Sequence, residues 1–210
     1  MKNIGLIILA AGKASRMGKP KQLLTYQGSS LISHAVKIGL NSNCRPVIVV
    51  LGAYKEQVKP QIDKLPIEII ENSDWETGMS SSIRAGINAI KQSNFNLDGV
   101  IIALADQPLI SEAVFNQLIE KYQETRNKTK NKIIASTYDD IVGVPALFDK
   151  NFFSELMDIE GDRGAKALIR KYRDEVLTVP VAEAAIDIDT PDDYQKLLSR
   201  KNFSDCLAKR

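Results

Sequence analysis

Histidine and cysteine are nearly absent from this 210-residue chain, which holds one histidine and two cysteines. A lone imidazole excludes a multi-histidine metal centre, and His34, inside a helical stretch, reads as a surface or packed side chain. Cys44 and Cys206 lie far apart and form no CxxC pair, which argues against a disulfide framework or a zinc site and fits the reducing cytoplasm. Charge of one sign is lacking too: 28 basic residues face 26 acidic ones, for a net of +2. So small an excess makes no global field for nucleic acid or a membrane surface, and any anion site must be local. No apolar run is long enough to cross a bilayer, and the first, at residues 4–10, follows a single lysine and runs directly into glycine and charges, unlike a secretory signal. Repeats, low-complexity stretches and linkers are missing.

Three chemical signatures are also absent. There is no G-x-G-x-x-G, which speaks against a nicotinamide oxidoreductase, and no G-x-S-x-G elbow for Ser–His–Asp catalysis. The P-loop pattern fails because Gly12 and Gly18 are six apart and Lys19 is followed by Pro20.

What remains is an ordinary globular composition, 44% hydrophobic and 26% charged, in a 23.3 kDa chain that suits one domain over residues 1–199 with a polar, frayed tail at 200–210. Short apolar runs alternate with amphipathic stretches. Strands are expected at 4–10, 47–51, 67–70, 99–105, 132–137 and 176–181. Helices are expected at 31–40 (capped by Ser29 or Ser30), 54–65 (bent at Pro60), 79–92, from Ser111 to about 126, 148–157, 165–172 and 191–199, with a basic loop at 127–132. Such alternation predicts an α/β domain with a mainly parallel sheet, whose ligands sit at the carboxyl ends of the strands.

The loop after the first strand, Leu9 to Lys21, combines small residues and glycines with four cations in nine positions, Lys13, Arg16, Lys19 and Lys21. Small residues let backbone N–H groups approach a ligand, and the cations supply charge for a polyphosphate; a solvated basic turn explains the composition equally well. Asp106, just past the 99–105 strand, is placed for a hard cation such as Mg²⁺, because Ser111 is the better cap for the next helix. Asp187 and Asp189 alternate onto one face of an extended segment, although Thr190 or Asp189 capping the following helix accounts for them as well. Residues 72–82 run from a strand end into a helix N-terminus rich in serine, suited to an anion or a base edge, or to plain capping. Trp75, the sole tryptophan, is expected as a core or lid anchor.

Together these segments resemble a known family. Leu9-Ala10-Ala11-Gly12-x-x-x-Arg16-Met17-Gly18-x-x-Lys21 is similar to the signature of the MobA-like nucleotidyltransferases, and within them to molybdenum cofactor cytidylyltransferases and related molybdoenzyme maturation proteins. Four further motifs follow in order: Gly78 to Gly86, Ala105-Asp106-Gln107-Pro108, Gly161 to Lys166, and Asp187 to Tyr194. The resemblance implies a three-layer α/β/α sandwich of GT-A type with a mostly parallel mixed sheet. It implies transfer of CMP from CTP to the terminal phosphate of molybdopterin, with pyrophosphate released and Mg²⁺ as cofactor. By the same resemblance Leu9, Ala10, Ala11 and Gly12 line the base and ribose, and Arg16 and Lys21 hold the triphosphate. Gly78, Ser80 and Ser82 lie by the base, and Asp106 and Asp189 hold the metal, with Arg16, Lys21 and Asp106 catalytic. Leu-Ala-Ala-Gly accompanies pyrimidine nucleotides in the family, hence CTP. An apo-molybdoenzyme is an implied partner; nucleic acid and membrane are not. A cytidylyltransferase acting on a sugar or alditol phosphate, and a non-catalytic molybdopterin-delivery factor, are the alternatives. The chain departs from the family at Val144, where relatives often have histidine, and at Lys166, where they often have arginine; both regions are expected to face the acceptor.

Overall fold

The computed structural model describes residues 3–93, 95–125 and 132–207. The expected basic loop at 127–132 lies, but for Lys132, outside them.

Strand β1 (Ile4–Ala10) is buried along its whole length. A strand with no polar side chain must be covered on both faces, and alternate residues do enter two separate cores. Leu6, Ile8 and Ala10 meet Ile32 and Val36 of helix α1 (Leu31–Asn41) and Val114, Phe115 and Leu118 of α4 (Glu112–Glu124). Ile7 and Leu9 meet Ile83, Ile87 and Ile90 of α3 (Met79–Gln92), along with residues of α5 (Phe153–Met157) and α6 (Lys166–Lys171). The sheet is therefore the middle layer of three, with each fully buried leucine or isoleucine stabilising it by about 1.5–3 kcal/mol.

Six further strands complete the sheet: β4 (Val47–Leu51), β5 (Glu68–Glu71), β6 (Gly99–Leu104), β7 (Ile133–Tyr138), β8 (Ile141–Asp149) and β9 (Leu177–Pro180). Their order is β5-β4-β1-β6-β8-β7-β9. β1 is an interior strand, with Ile8 facing Val49 on one side and Ala103 on the other. All neighbours run parallel except β8, which is antiparallel to both β6 and β7. A two-residue hairpin, β2 (Thr25–Tyr26) with β3 (Ser29–Ser30), leads into α1. The remaining helices are α2 (Lys55–Val58) and α7 (Pro191–Leu207). No helix among the described residues is long and apolar enough to cross a membrane.

Several expectations need correction. β8 is an unexpected strand, and it ends inside the helix expected over 148–157, which starts only at Phe153. The pairing of β7 with β8 shifts between Ala135 and Ser136, which leaves Val144 and Pro145 outside the ladder, and Ser136 Oγ donates to the Pro145 carbonyl at 2.7 Å. A bulge is where a strand tolerates proline, which lacks the N–H a ladder needs. The helix expected over 54–65 stops at Val58 and continues only as a tight turn, Lys59–Gln61, around Pro60. The last helix runs past residue 199 to Leu207. Ser30, of the two candidates, caps α1 by accepting from Ser33 N. Ser111 holds the N-cap position of α4 without a side-chain cap bond. His34 is packed: its ring meets Tyr26 edge-on at 4.9 Å, and Nε2 lies 3.0 Å from the Pro108 carbonyl oxygen.

Candidate active site

A cleft of about 320 Å³ opens at the carboxyl ends of β1 and β6, beside the N-terminus of α3. Parallel neighbours end their strands on the same edge, so the turns after them are side by side there. Of the residues singled out in the sequence, Leu9, Ala10, Ala11, Gly12, Lys21, Gly78, Ser82 and Asp106 line it. Ser80 does not; it is 1% exposed and faces the body of the protein. Arg16 and Asp189 stand at the rim, with side chains 69% and 38% exposed.

The floor is held by side chains that bind backbone. Gln22 is buried, and its Nε2 donates to the carbonyls of Ala10 and Gly12, each at 3.0 Å. The Ala11 carbonyl accepts from Ala53 N at 3.0 Å. On the opposite wall Asn72, also buried, donates to Ser81 Oγ at 2.8 Å and to Ser82 Oγ at 3.0 Å, and its Oδ1 accepts from Asp74 N. Gly78 has φ +108°, and a Cβ there would lie 2.6 Å from the Gly161 carbonyl carbon and 2.7 Å from Asp162 Oδ1. Glycine is thus required twice over, by its backbone angle and by the approach of the Gly161–Arg163 turn. Arg84 anchors the chain before that turn by donating to the carbonyls of Met157 and Ile159.

Four charged side chains from three separate segments, the loop after β1, the end of β6 and the stretch before α7, converge at the mouth. Lys21 Nζ donates to Asp106 Oδ2 in a very short contact and to Asp189 Oδ1 at 3.0 Å, while Arg16 Nη2 donates to Asp189 Oδ2 at 2.7 Å. Backbone and packing bring them there. Ile188 N donates to the Asp106 carbonyl at 3.0 Å, which sets Asp189 next to Asp106. Met17, beside Arg16, and Ile188, beside Asp189, share a small apolar cluster with Leu24, Leu31 and Leu197. The capping alternative for Asp189 falls to other residues. Asp193 Oδ2 accepts from Thr190 N and Oγ1, and Thr190 Oγ1 accepts from Asp193 N, a reciprocal cap that leaves the Asp189 carboxylate to the cations.

Burial alone would lower the pKa of Lys21, but the charge of Asp106 and the bonds to both carboxylates outweigh it and raise it above its ordinary value. Burial pushes Asp189 up, and the bond to Lys21 with the charges of Lys21 and Arg16 brings it below its usual range. Asp187 is raised by burial first and then by the charge of Asp106.

Asp106 Oδ1 is buried with no hydrogen-bond partner. An unpartnered carboxylate oxygen next to a second carboxylate is a hard-oxygen donor set that fits Mg²⁺ or Mn²⁺. Among the described residues no three His, Cys, Asp or Glu side chains group as a metal site. Two carboxylates completed by ligand oxygens suit an ion that binds together with phosphates.

Sequence reasoning gave no role of their own to Gln22, Asn72 or Asp162; Gln22 and Asp162 line the cleft. Gln22 and Asn72 act on backbone and on a neighbouring hydroxyl, roles without a composition signal; a polar residue inside an apolar context is the only trace. Trp75, half-buried, lines the cleft itself. The two departures from the family pattern are adjacent in space: a Cβ on Gly143, the residue before Val144, would lie 3.3 Å from Lys166 Cε and 2.8 Å from Tyr138 Oη.

Comparison with known proteins bears on the family and the fold. Residues 6–176 match the family model described as "MobA-like NTP transferase domain". The chain is 29% identical over 203 residues to nicotine blue oxidoreductase of Paenarthrobacter nicotinovorans, covering 91% of this chain and 95% of that one. It is 27% identical over 198 residues to molybdenum cofactor cytidylyltransferase of Escherichia coli, covering 92% and 95%. Among solved structures, Rv0371c of Mycobacterium tuberculosis in complex with manganese superposes with a TM-score of 0.76 at 26% identity, covering 94% of this chain and 99% of that one.

Proposed function

The chain belongs to the MobA-like NTP transferase family, and from that premise we propose that it transfers CMP from CTP to the terminal phosphate of molybdopterin, releasing pyrophosphate with Mg²⁺ as cofactor. The observation that carries the reading is the meeting of Arg16, Lys21, Asp106 and Asp189 at the mouth of a small-residue cleft. The relative named molybdenum cofactor cytidylyltransferase supports the choice of donor and acceptor, and the manganese complex of Rv0371c supports a divalent ion.

In this reading an oxygen of the acceptor phosphate attacks the α-phosphorus of CTP in line, and the bond to the β-phosphate bridge breaks. A phosphate acceptor carries no proton that must be removed, so no histidine base is needed, in keeping with a packed His34. Asp106 and Asp189 would hold the metal, which supplies charge neutralisation for the phosphates. Lys21 and Arg16 stabilise the departing pyrophosphate. The carbonyls of Ala10, Ala11 and Gly12 are engaged by Gln22 and Ala53, which fixes this loop in a position to receive a base and ribose. Ser82 Oγ accepts from Asn72, leaving its hydroxyl hydrogen to donate toward an acceptor atom of cytosine, O2 or N3.

A thermal-shift panel of CTP, GTP, ATP and UTP, with and without Mg²⁺, tests the nucleotide, since a binder stabilises by mass action. Pyrophosphate release from CTP with molybdopterin, and with a sugar or alditol phosphate in its place, tests the acceptor. Molybdopterin binding without any pyrophosphate release would favour a delivery factor. The relative named as an oxidoreductase supplies one more arm: oxidation of NAD(P)H by a dye-like acceptor without pyrophosphate release would replace the transferase reading.

A further inference from the structure

We propose that the Lys21 ammonium is an internal stand-in for the divalent cation, occupying the place between Asp106 and Asp189 in the free protein, so that ion and lysine exclude each other and the ion binds tightly only when nucleotide phosphates draw Lys21 away. The proposal rests on the nucleotidyltransferase reading of the cleft and adds an order of events to it.

The geometry is specific. Lys21 Nζ bridges Asp106 Oδ2 and Asp189 Oδ1, the two carboxylates that make up the hard-oxygen donor set. Its side chain and that of Asp106 are each 16% exposed and that of Asp189 38%, so Lys21 offsets one carboxylate charge in a largely buried place while Arg16 offsets the second at the rim. Adding a divalent ion while Lys21 stayed in place would set three positive charges against two negative ones in a confined volume, and Arg16 already holds the outer oxygen of Asp189 at 2.7 Å. One occupant must leave. Lysine is built to do so, being a point charge on a flexible four-carbon stem. Its backbone is meanwhile pinned, because the next residue, Gln22, clamps the Ala10 and Gly12 carbonyls. Only the side chain needs to swing, and Lys21 already lines the nucleotide cleft that would receive it. Phosphate oxygens arriving there supply both what attracts the ammonium and the missing ligands of the ion.

The test measures metal binding without turnover. Lys21→Met keeps the length of the stem and removes the charge. Titrated with Mn²⁺ in the absence of nucleotide, the folded variant is expected to bind about tenfold or more tightly than wild type, the usual scale of coupling between linked binding events. Equal Mn²⁺ affinity in the two proteins, with the variant folded by circular dichroism, would overturn the proposal. Should both Lys21→Met and Lys21→Gln fail to fold, the wild type is read directly by acylating its lysines with an N-hydroxysuccinimide ester and mapping the sites by mass spectrometry. Lys21 is expected to react slowly without metal and faster as Mn²⁺ fills the site, with Lys64, exposed between α2 and β5 and outside the cleft lining, unchanged as the internal reference. No change at Lys21 under saturating Mn²⁺ overturns the proposal. The two readings fail separately. If none of the four nucleoside triphosphates stabilises wild type, the transferase reading falls while a gain of Mn²⁺ affinity in Lys21→Met would still stand.

Discussion

Replacing Asp106 by asparagine keeps the shape of the side chain and removes its charge. Asp106 is 16% exposed, its Oδ2 accepts from Lys21, and its Oδ1 has no partner. In the variant Lys21 keeps Asp189 at 3.0 Å, so its charge is not abandoned. An exposed bridge contributes about 0–1 kcal/mol and breaking a buried one costs about 3–5 kcal/mol; a part-buried pair with a second carboxylate in reserve falls between, at about 1–2 kcal/mol. For a chain of this size that lowers Tm by roughly 2–8 °C. The chemical cost is larger under the proposed function, in which the same carboxylate would supply half of the donor set for a metal that offsets transition-state charge. A loss of about 3–4 kcal/mol there is a fall of roughly 10²–10³ in turnover. Both numbers come from one pair of measurements, a thermal scan and Mg²⁺-dependent pyrophosphate release at saturating CTP. Turnover within about threefold of wild type, against an expected fall of at least a hundredfold, would remove Asp106 from the chemistry and with it the proposed centre.

Gly78→Ala puts a Cβ within 2.6 Å of the Gly161 backbone at φ +108°. It should destabilise by about 2 kcal/mol or more and weaken CTP binding, followed through the fluorescence of Trp75 in the cleft wall. Asn72→Ala removes the bonds to Ser81 and Ser82 from a buried position. A stability loss of about 1–3 kcal/mol is expected, with poorer discrimination between CTP and the other triphosphates in a competition titration. Asp189→Asn tests the pH dependence. The carboxyl of Asp189 is held below its ordinary 3.8 in the folded protein, so its contribution is fully present above that value and fades as pH falls through the lowered one. The Tm gap between wild type and variant should therefore stay level from neutral pH down to about 4 and close only in stronger acid; a gap that closes between pH 7 and 5 would contradict the assigned ion pairs.

How much of this was legible in the sequence depends on what kind of contact each residue makes. β1 was readable because a seven-residue strand without a polar side chain has one solution, cover on both faces, and the turn after it must then sit at a sheet edge with its cations in reach of a ligand. β8 was not. Gly143 and Pro145 look like a break, and Phe148 looks like the start of a helix, because the bulge that takes Val144 and Pro145 out of the ladder is a property of the paired strand and leaves no pattern in its own residues. Its antiparallel direction is equally invisible, since alternating strands and helices favour parallel neighbours and say nothing about an inserted hairpin.

The site divides along the same line. Asp106, Asp189, Arg16 and Lys21 announce themselves by charge, and the ambiguity at Asp189 was one of assignment only: a helix start needs a cap, and until Thr190 and Asp193 are seen to cap each other any nearby acid can be credited with the task. Gln22 stayed hidden because what it binds, the carbonyls of Ala10 and Gly12, is common to every residue. Yet Gln22 decides whether the legible charges can work. It fixes the loop from which Lys21 projects, so the lysine can exchange carboxylates for phosphates without the floor of the cleft moving. The charges of the site can be read from residue types, while the rigidity that makes them useful is set by contacts to backbone, which residue types do not encode.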